Sequence, residues 1–171
     1  MSLFIISALQ SCFAGIMTAL SASSANTAFL CFLSPAIFCS ALRRSDNVFT
    51  LSLFYAFSMW LFSSLWIGEL YRSGFVPSFL LSAAAAFGIT LAEGLIFAAC
   101  FLPLKFTDKK VFSPAFILCY VMSEYVQNFT FPWIKLAVSA APFTVFIQTS
   151  SLFGSLFVSK FPALNDFNVL A

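Results

Sequence analysis

The sequence predicts an all-α fold, a polytopic membrane helix bundle of about six transmembrane helices with a re-entrant segment between the fifth and sixth. Three observations predict it. Mean hydropathy is +1.01. Only 8% of the residues are charged, whereas 61% are hydrophobic. The few charges gather in short gaps such as Arg43-Arg44-Ser45-Asp46 and Lys105 to Lys110. Charge is costly in hydrocarbon, so such gaps mark where a chain leaves the bilayer. A soluble domain of 171 residues does not carry this composition.

The first span is expected at 2–21. Ala19-Leu20-Ser21 resembles a signal-peptide cleavage site, but no positive n-region precedes the run, and the run is longer than a usual h-region. It is read as a retained span. The small polar stretch Ser21 to Asn26 forms the next turn, and the second span follows at 25–42 with Pro35 inside it. Proline bends a helix, which membrane bundles tolerate when neighbours satisfy the freed carbonyl. The third span, 48–71, ends in Trp66, Glu69, Tyr71 and Arg72, residue types that settle at headgroup level. Glu69 is read as a solvated interface carboxylate. The fourth, 75–104, exceeds the roughly 20 residues a span needs, so tilt is expected. Ala83 to Ala86, Gly88, Ala92 and Gly94 make that helix thin and predict close approach of a neighbour, as do Ser64 and Gly68 on the third. The fifth span is placed at 111–129 and a short sixth at 143–159. The stretch 131–142, containing Pro132, Trp133 and Lys135, is too short to cross and is read as re-entrant. All of this forms a single transmembrane domain, 1–171.

Charge also sets orientation. Arg43, Arg44, Lys105, Lys109, Lys110 and Lys160 fall on one side, and only Arg72 and Lys135 on the other. The positive-inside rule then puts both termini in the cytoplasm.

Several function classes are excluded by composition. A net charge of +2 with no basic stripe gives no nucleic-acid partner. The absence of His removes the commonest general base and metal ligand, and no metal or cofactor is expected. Cys12, Cys31, Cys39, Cys100 and Cys119 form no CxxC pair and lie in apolar runs, as buried small hydrophobes do. No Ser triad is possible without His, and no glycine-rich phosphate loop exists.

Two carboxylates remain as candidates for chemistry. Glu93 lies near the middle of the fourth span, where an ionisable group must be paired, neutral or beside a wet cavity. Glu124 lies toward the outer end of the fifth, with Ser123 before it and Tyr125, Gln127 and Asn128 after it. Lys135 is placed to reach back to this cluster and is a candidate phosphate contact.

At Ser123-Glu124-Tyr125-Val126-Gln127-Asn128-Phe129-Thr130-Phe131-Pro132-Trp133 the sequence resembles the membrane region of bacterial apolipoprotein N-acyltransferase. Ser34-Pro35, the block Phe54 to Leu70, and Gln148 with Gly154 extend the resemblance over nearly the whole chain. The resemblance implies a place in the bacterial inner membrane. It also implies a reaction in which an acyl chain passes from a phospholipid, through a Cys thioester, to the α-amine of a lipoprotein's diacylglyceryl-cysteine. It marks Ser123, Glu124, Pro132 and Trp133 as the lip where lipid chains enter, with Trp133 at headgroup level and Pro132 fixing the turn. The family's Glu–Lys–Cys triad belongs to a nitrilase-like domain with no counterpart in these residues, so no catalytic residue is carried over. A truncated, split or degenerate member is expected, silent by itself, with membrane lipid, phospholipid, diacylated lipoprotein and a separately encoded nitrilase-like domain as partners. The alternatives are a small transporter or channel-like bundle using Glu93, and a non-catalytic assembly subunit.

Overall fold

The computed structural model describes residues 2–23, 25–66, 71–75 and 77–130. Among these residues every regular element is helical: α1 (Ser2–Ser23), α2 (Leu30–Arg43), α3 (Val48–Ser63), α4 (Phe79–Phe101) and α5 (Phe112–Gln127). Short 3-10 turns follow α1 at Ala25–Thr27, α3 at Ser64–Trp66 and α4 at Leu102–Phe106. The five helices correspond in order to the first five expected spans. The expected re-entrant stretch 131–142 and sixth span 143–159 lie outside the described residues, as do Gly68 and Glu69.

Two stretches, Leu3–Ser23 and Phe79–Phe106, are long and apolar enough to cross a bilayer, with mean hydropathies of 1.9 and 2.0. Helices α2 and α3 are shorter apolar helices. Helix α5 has 16 residues, a rise of about 24 Å.

Each long helix carries an inverted face pattern. On α1, Ser7, Ser11, Ala14 and Thr18 are buried, while Leu3, Ile5, Ile6, Leu9 and Phe13 are exposed. On α4, Ser82, Thr90 and Glu93 point inward, while Leu80, Leu81, Phe87, Leu91 and Leu95 point outward. A water-soluble amphipathic helix does the reverse.

Helix α3 is the central element, packed against α1 on one side and α4 on the other, with α2 beside α1 and α5 beside α4. The α1–α3 contact is the tightest. A Cβ built on Gly15 would run into Ser58 Oγ and the Tyr55 carbonyl, so only glycine fits there. Ser58 Oγ donates to Cys12 O across the same contact at 3.0 Å. The close approach expected at α4 is thus found mainly elsewhere. Ala83, Ala84, Ala85, Gly88 and Ala92 are exposed, and a Cβ on Gly94 would meet Leu53 of α3 at an ordinary 3.6 Å. Small side chains sit as comfortably on an outer face as at an interface, so composition alone did not locate the contact. Ser64 is buried and lies 3.3 Å from Thr90, Oγ to Oγ1, joining the end of α3 to α4.

The core between α2, α3, α4 and α5 is aromatic. Phe38 stacks on Tyr55 with ring centroids 4.1 Å apart, and Phe97 stacks on Phe101 at 4.7 Å. Phe101 meets Phe116 edge-on at 5.6 Å, and Phe97 meets Tyr120 edge-on at 5.8 Å. Such pairs gain from quadrupole geometry beyond the area they bury. Cys31, Cys39 and Cys119 lie in this same cluster as small apolar side chains.

Candidate functional site

The aromatic pairs fix the register between α4 and α5. The helices run antiparallel, with Phe101 beside Phe116 and Phe97 beside Tyr120. One further turn along α4 is Glu93, and one further turn along α5 is Glu124 followed by Gln127. The packing that seats the Phe residues therefore carries both carboxylates inward. Glu93, Glu124 and Gln127 are each 3% exposed.

The Glu93 carboxyl is within hydrogen-bonding reach of the Gln127 and Thr130 side chains. Its Oε2, like Gln127 Nε2, makes no well-formed hydrogen bond among the described residues. The end of α5 closes here: Asn128 N donates to Tyr125 O at 3.2 Å, and the Thr130 N–H and hydroxyl both donate to Gln127 O at 3.3 Å. The last turn of α5, with Gln127 buried and Thr130 exposed, thus brings terminal carbonyls, an amide and the Glu93 acid into one place.

Glu124 interacts electrostatically with the hydroxyls of Tyr55 and Tyr120. Those hydroxyls begin a second polar system running down through the bundle. Tyr120 Oη lies 3.0 Å from Tyr55 Oη, which lies 2.7 Å from Thr18 Oγ1. Thr18 Oγ1 in turn bonds Ser34 Oγ, and Ser34 Oγ donates to Ala14 O at 2.7 Å. Sequence reading marked Ser34 only through the resemblance and missed Thr18, Tyr55 and Tyr120. The available signal was a tyrosine far from any predicted interface, where tyrosine in a membrane helix ordinarily settles.

The expected candidates divide as follows. Glu93 meets Gln127, although sequence reading had treated Glu93 as a separate site, and Glu124, one turn before Gln127 on α5, lies near the Tyr55 and Tyr120 hydroxyls. Ser123 is fully buried and donates to Tyr120 O at 2.7 Å, so its hydroxyl is engaged with its own helix. Pro132, Trp133, Lys135 and Gln148 lie outside the described residues. Among the described residues the Glu93 carboxyl faces the Gln127 amide and the Thr130 hydroxyl, and Glu124 faces the Tyr55 and Tyr120 hydroxyls. Such a cluster suits hydrogen-bond donors, an ammonium or amide N–H above all.

No significant match is found among curated proteins or among solved structures. A family profile described as the apolipoprotein N-acyltransferase N-terminal domain matches residues 14–165. That stretch takes in the aromatic core and the buried carboxylates alike, and the chain belongs to the family of apolipoprotein N-acyltransferase N-terminal domains.

Proposed function

We propose that this chain is a single membrane domain of the bacterial inner membrane, of six spans with a re-entrant segment and both termini cytoplasmic. In this reading it holds lipid substrate for acyl transfer without performing the transfer. The observation that carries the reading is the inverted patterning of α1 and α4, hydroxyls and carboxyl inward and Leu, Ile and Phe outward, within a chain of this family. An outward apolar face is stable against lipid and unstable against water.

Within that scaffold, the cluster of Glu93, Glu124 and Gln127 is the polar lining for the substrate's nitrogen-bearing end. Either the headgroup amine of the donor phospholipid or the α-amine of the diacylated lipoprotein offers N–H donors to Glu93 Oε2, which makes no well-formed bond among the described residues. Ser123, Glu124, Pro132 and Trp133 form the lip toward the outer leaflet in this reading, with Lys135 as a phosphate contact and Gln148 as a further lipid-binding residue. Acyl transfer by the route that the resemblance implies runs through a Cys thiolate, activated by a base or a cation. The five Cys of this chain sit in apolar helices, so the reaction centre is assigned to a nitrilase-like partner domain.

The test is complementation. In cells depleted of their N-acyltransferase, the chain alone is expected to stay in the membrane fraction through alkaline carbonate washing and to leave lipoproteins diacylated. Co-expression with a nitrilase-like domain is expected to restore triacylation, and Glu93→Gln to reduce that restoration. Rescue by this chain alone would overturn the assignment of chemistry to a partner. Solute uptake abolished by Glu93→Gln, with no effect on lipoproteins, would favour a transporter instead.

A further inference from the structure

The end of the bundle opposite the carboxylate cluster holds a cavity of about 430 Å³. Its walls come from two loops distant in sequence, the α2–α3 loop and the α4–α5 loop. Leu42, Val48, Leu104 and Phe112 line its floor, and all four are buried. Its polar lining consists of Arg43, Lys105 and Lys109, one carboxylate at Asp46, and the hydroxyls of Ser45 and Thr107.

The loops are held by local bonds. Arg44 N donates to Ala41 O at 3.3 Å, Thr107 N to Leu104 O at 3.2 Å, and Val111 N to Asp108 O at 3.1 Å. Thr107 Oγ1 adds a bond to Pro103 O at 3.0 Å. The Arg43 guanidinium carbon lies 5.9 Å from the centre of the Phe112 ring, so a side chain of one loop rests on the first residue of the helix after the other. Such a contact holds a cation in position without neutralising it.

We propose that this cavity binds a phosphate group, with Arg43, Lys105 and Lys109 around the anion and the apolar floor beneath the group attached to it. Three cations facing one carboxylate give the lining a net positive charge. The volume is in the range of small-ligand sites. A basic rim above an apolar floor, at the end of a helix bundle, matches the amphipathic junction of an anionic phospholipid rather than a wholly hydrated ion. The lipid source rests on the membrane reading above; the phosphate chemistry does not.

The full chain in detergent micelles is titrated with dilauroyl phosphatidylglycerol, with dilauroyl phosphatidylcholine and with inorganic phosphate, and binding is followed by tryptophan fluorescence. Phosphatidylglycerol is expected to bind more tightly than phosphatidylcholine and to raise the melting temperature. Lys105→Gln and Lys109→Gln are each expected to weaken it about fivefold, the effect of one cation near such a headgroup. Lys110→Gln removes the same charge from the same loop but outside the cavity, and is expected to change affinity less than about twofold. If inorganic phosphate displaces the lipid at millimolar concentration, the free ion is the occupant; if it does not, the lipid headgroup is.

Equal losses for Lys105→Gln and Lys110→Gln would reduce the effect to diffuse charge and overturn the site, as would failure of every phosphate compound to bind. A chain released from membranes by carbonate would instead overturn the membrane reading, and titration of that soluble chain with phosphate would still decide the cavity.

Discussion

Two buried polar systems lie side by side in this molecule and differ in how they are finished. The hydroxyl chain of Thr18, Ser34, Tyr55 and Tyr120 ends on a backbone carbonyl, and each of its members is bonded to the next. The carboxylate cluster at the end of α5 is open. Glu93 Oε2 and Gln127 Nε2 have no well-formed bond among the described residues. Both systems are buried, so both had to be accommodated during folding, but only the first is complete among the described residues. A completed network holds helices together; one with a spare acceptor at Glu93 Oε2 and a spare donor at Gln127 Nε2 is set up to receive something.

Substitutions sharpen or break this contrast. The largest effect is expected where packing, not polarity, decides. Gly15→Ala places a methyl group into Ser58 and the Tyr55 carbonyl and is expected to destabilise the α1–α3 pair by about 1–3 kcal/mol. Gly94→Ala, with ordinary clearance, is expected to leave stability within about 0.5 kcal/mol. Denaturant titration in micelles reads both, and equal effects would mean that α1 does not approach α3 as described.

Next in size is Tyr55→Phe. It keeps the ring stacked on Phe38 but removes the hydroxyl shared by Thr18 and Tyr120. A loss of about 0.6–1.7 kcal/mol is expected, the span measured for interhelical hydrogen bonds in membrane helices. A double-mutant cycle with Tyr120→Phe should show the two losses to be less than additive.

The smallest effect on stability is expected from Glu93→Gln, below about 0.5 kcal/mol, because the amide keeps the shape of the acid and one oxygen acceptor for the Gln127 and Thr130 side chains. If Glu93→Gln destabilised the fold as much as Tyr55→Phe, the distinction between a finished and an open system would fail.

The sequence made the helices legible and the contacts between them obscure. Apolar runs broken by Arg43–Asp46 and Lys105–Lys110 mark where five helices run, but the third span, expected to 71, breaks at Ser64–Trp66, where α3 gives way to a 3-10 turn. The second began late, because Ala25–Thr27 forms a 3-10 turn ahead of α2. The two basic loops, grouped on one side by charge, do line one cavity. The meeting of Glu93 with Gln127 was not legible. It depends on the interlocking of Phe97 and Phe101 with Phe116 and Tyr120, and an apolar residue in a mostly apolar helix announces no partner. Likewise a single glycine at position 15 carries no visible signal, whereas the alanine-rich stretch of α4 drew notice and largely faces outward.

The phenol of Tyr55 has one more consequence. Helix α3 is apolar over most of its surface, and its polar contacts at Tyr55, Ser58 and Ser64, with the Gly15 notch on α1, resist movement along its own axis between α1 and α4. A shift of one turn, about 5.4 Å, would carry the Tyr55 hydroxyl away from Thr18 and Tyr120 and strand it among hydrocarbon side chains. The Tyr55 oxygen therefore serves as one of the marks that set the height of the central helix against α1 and α5.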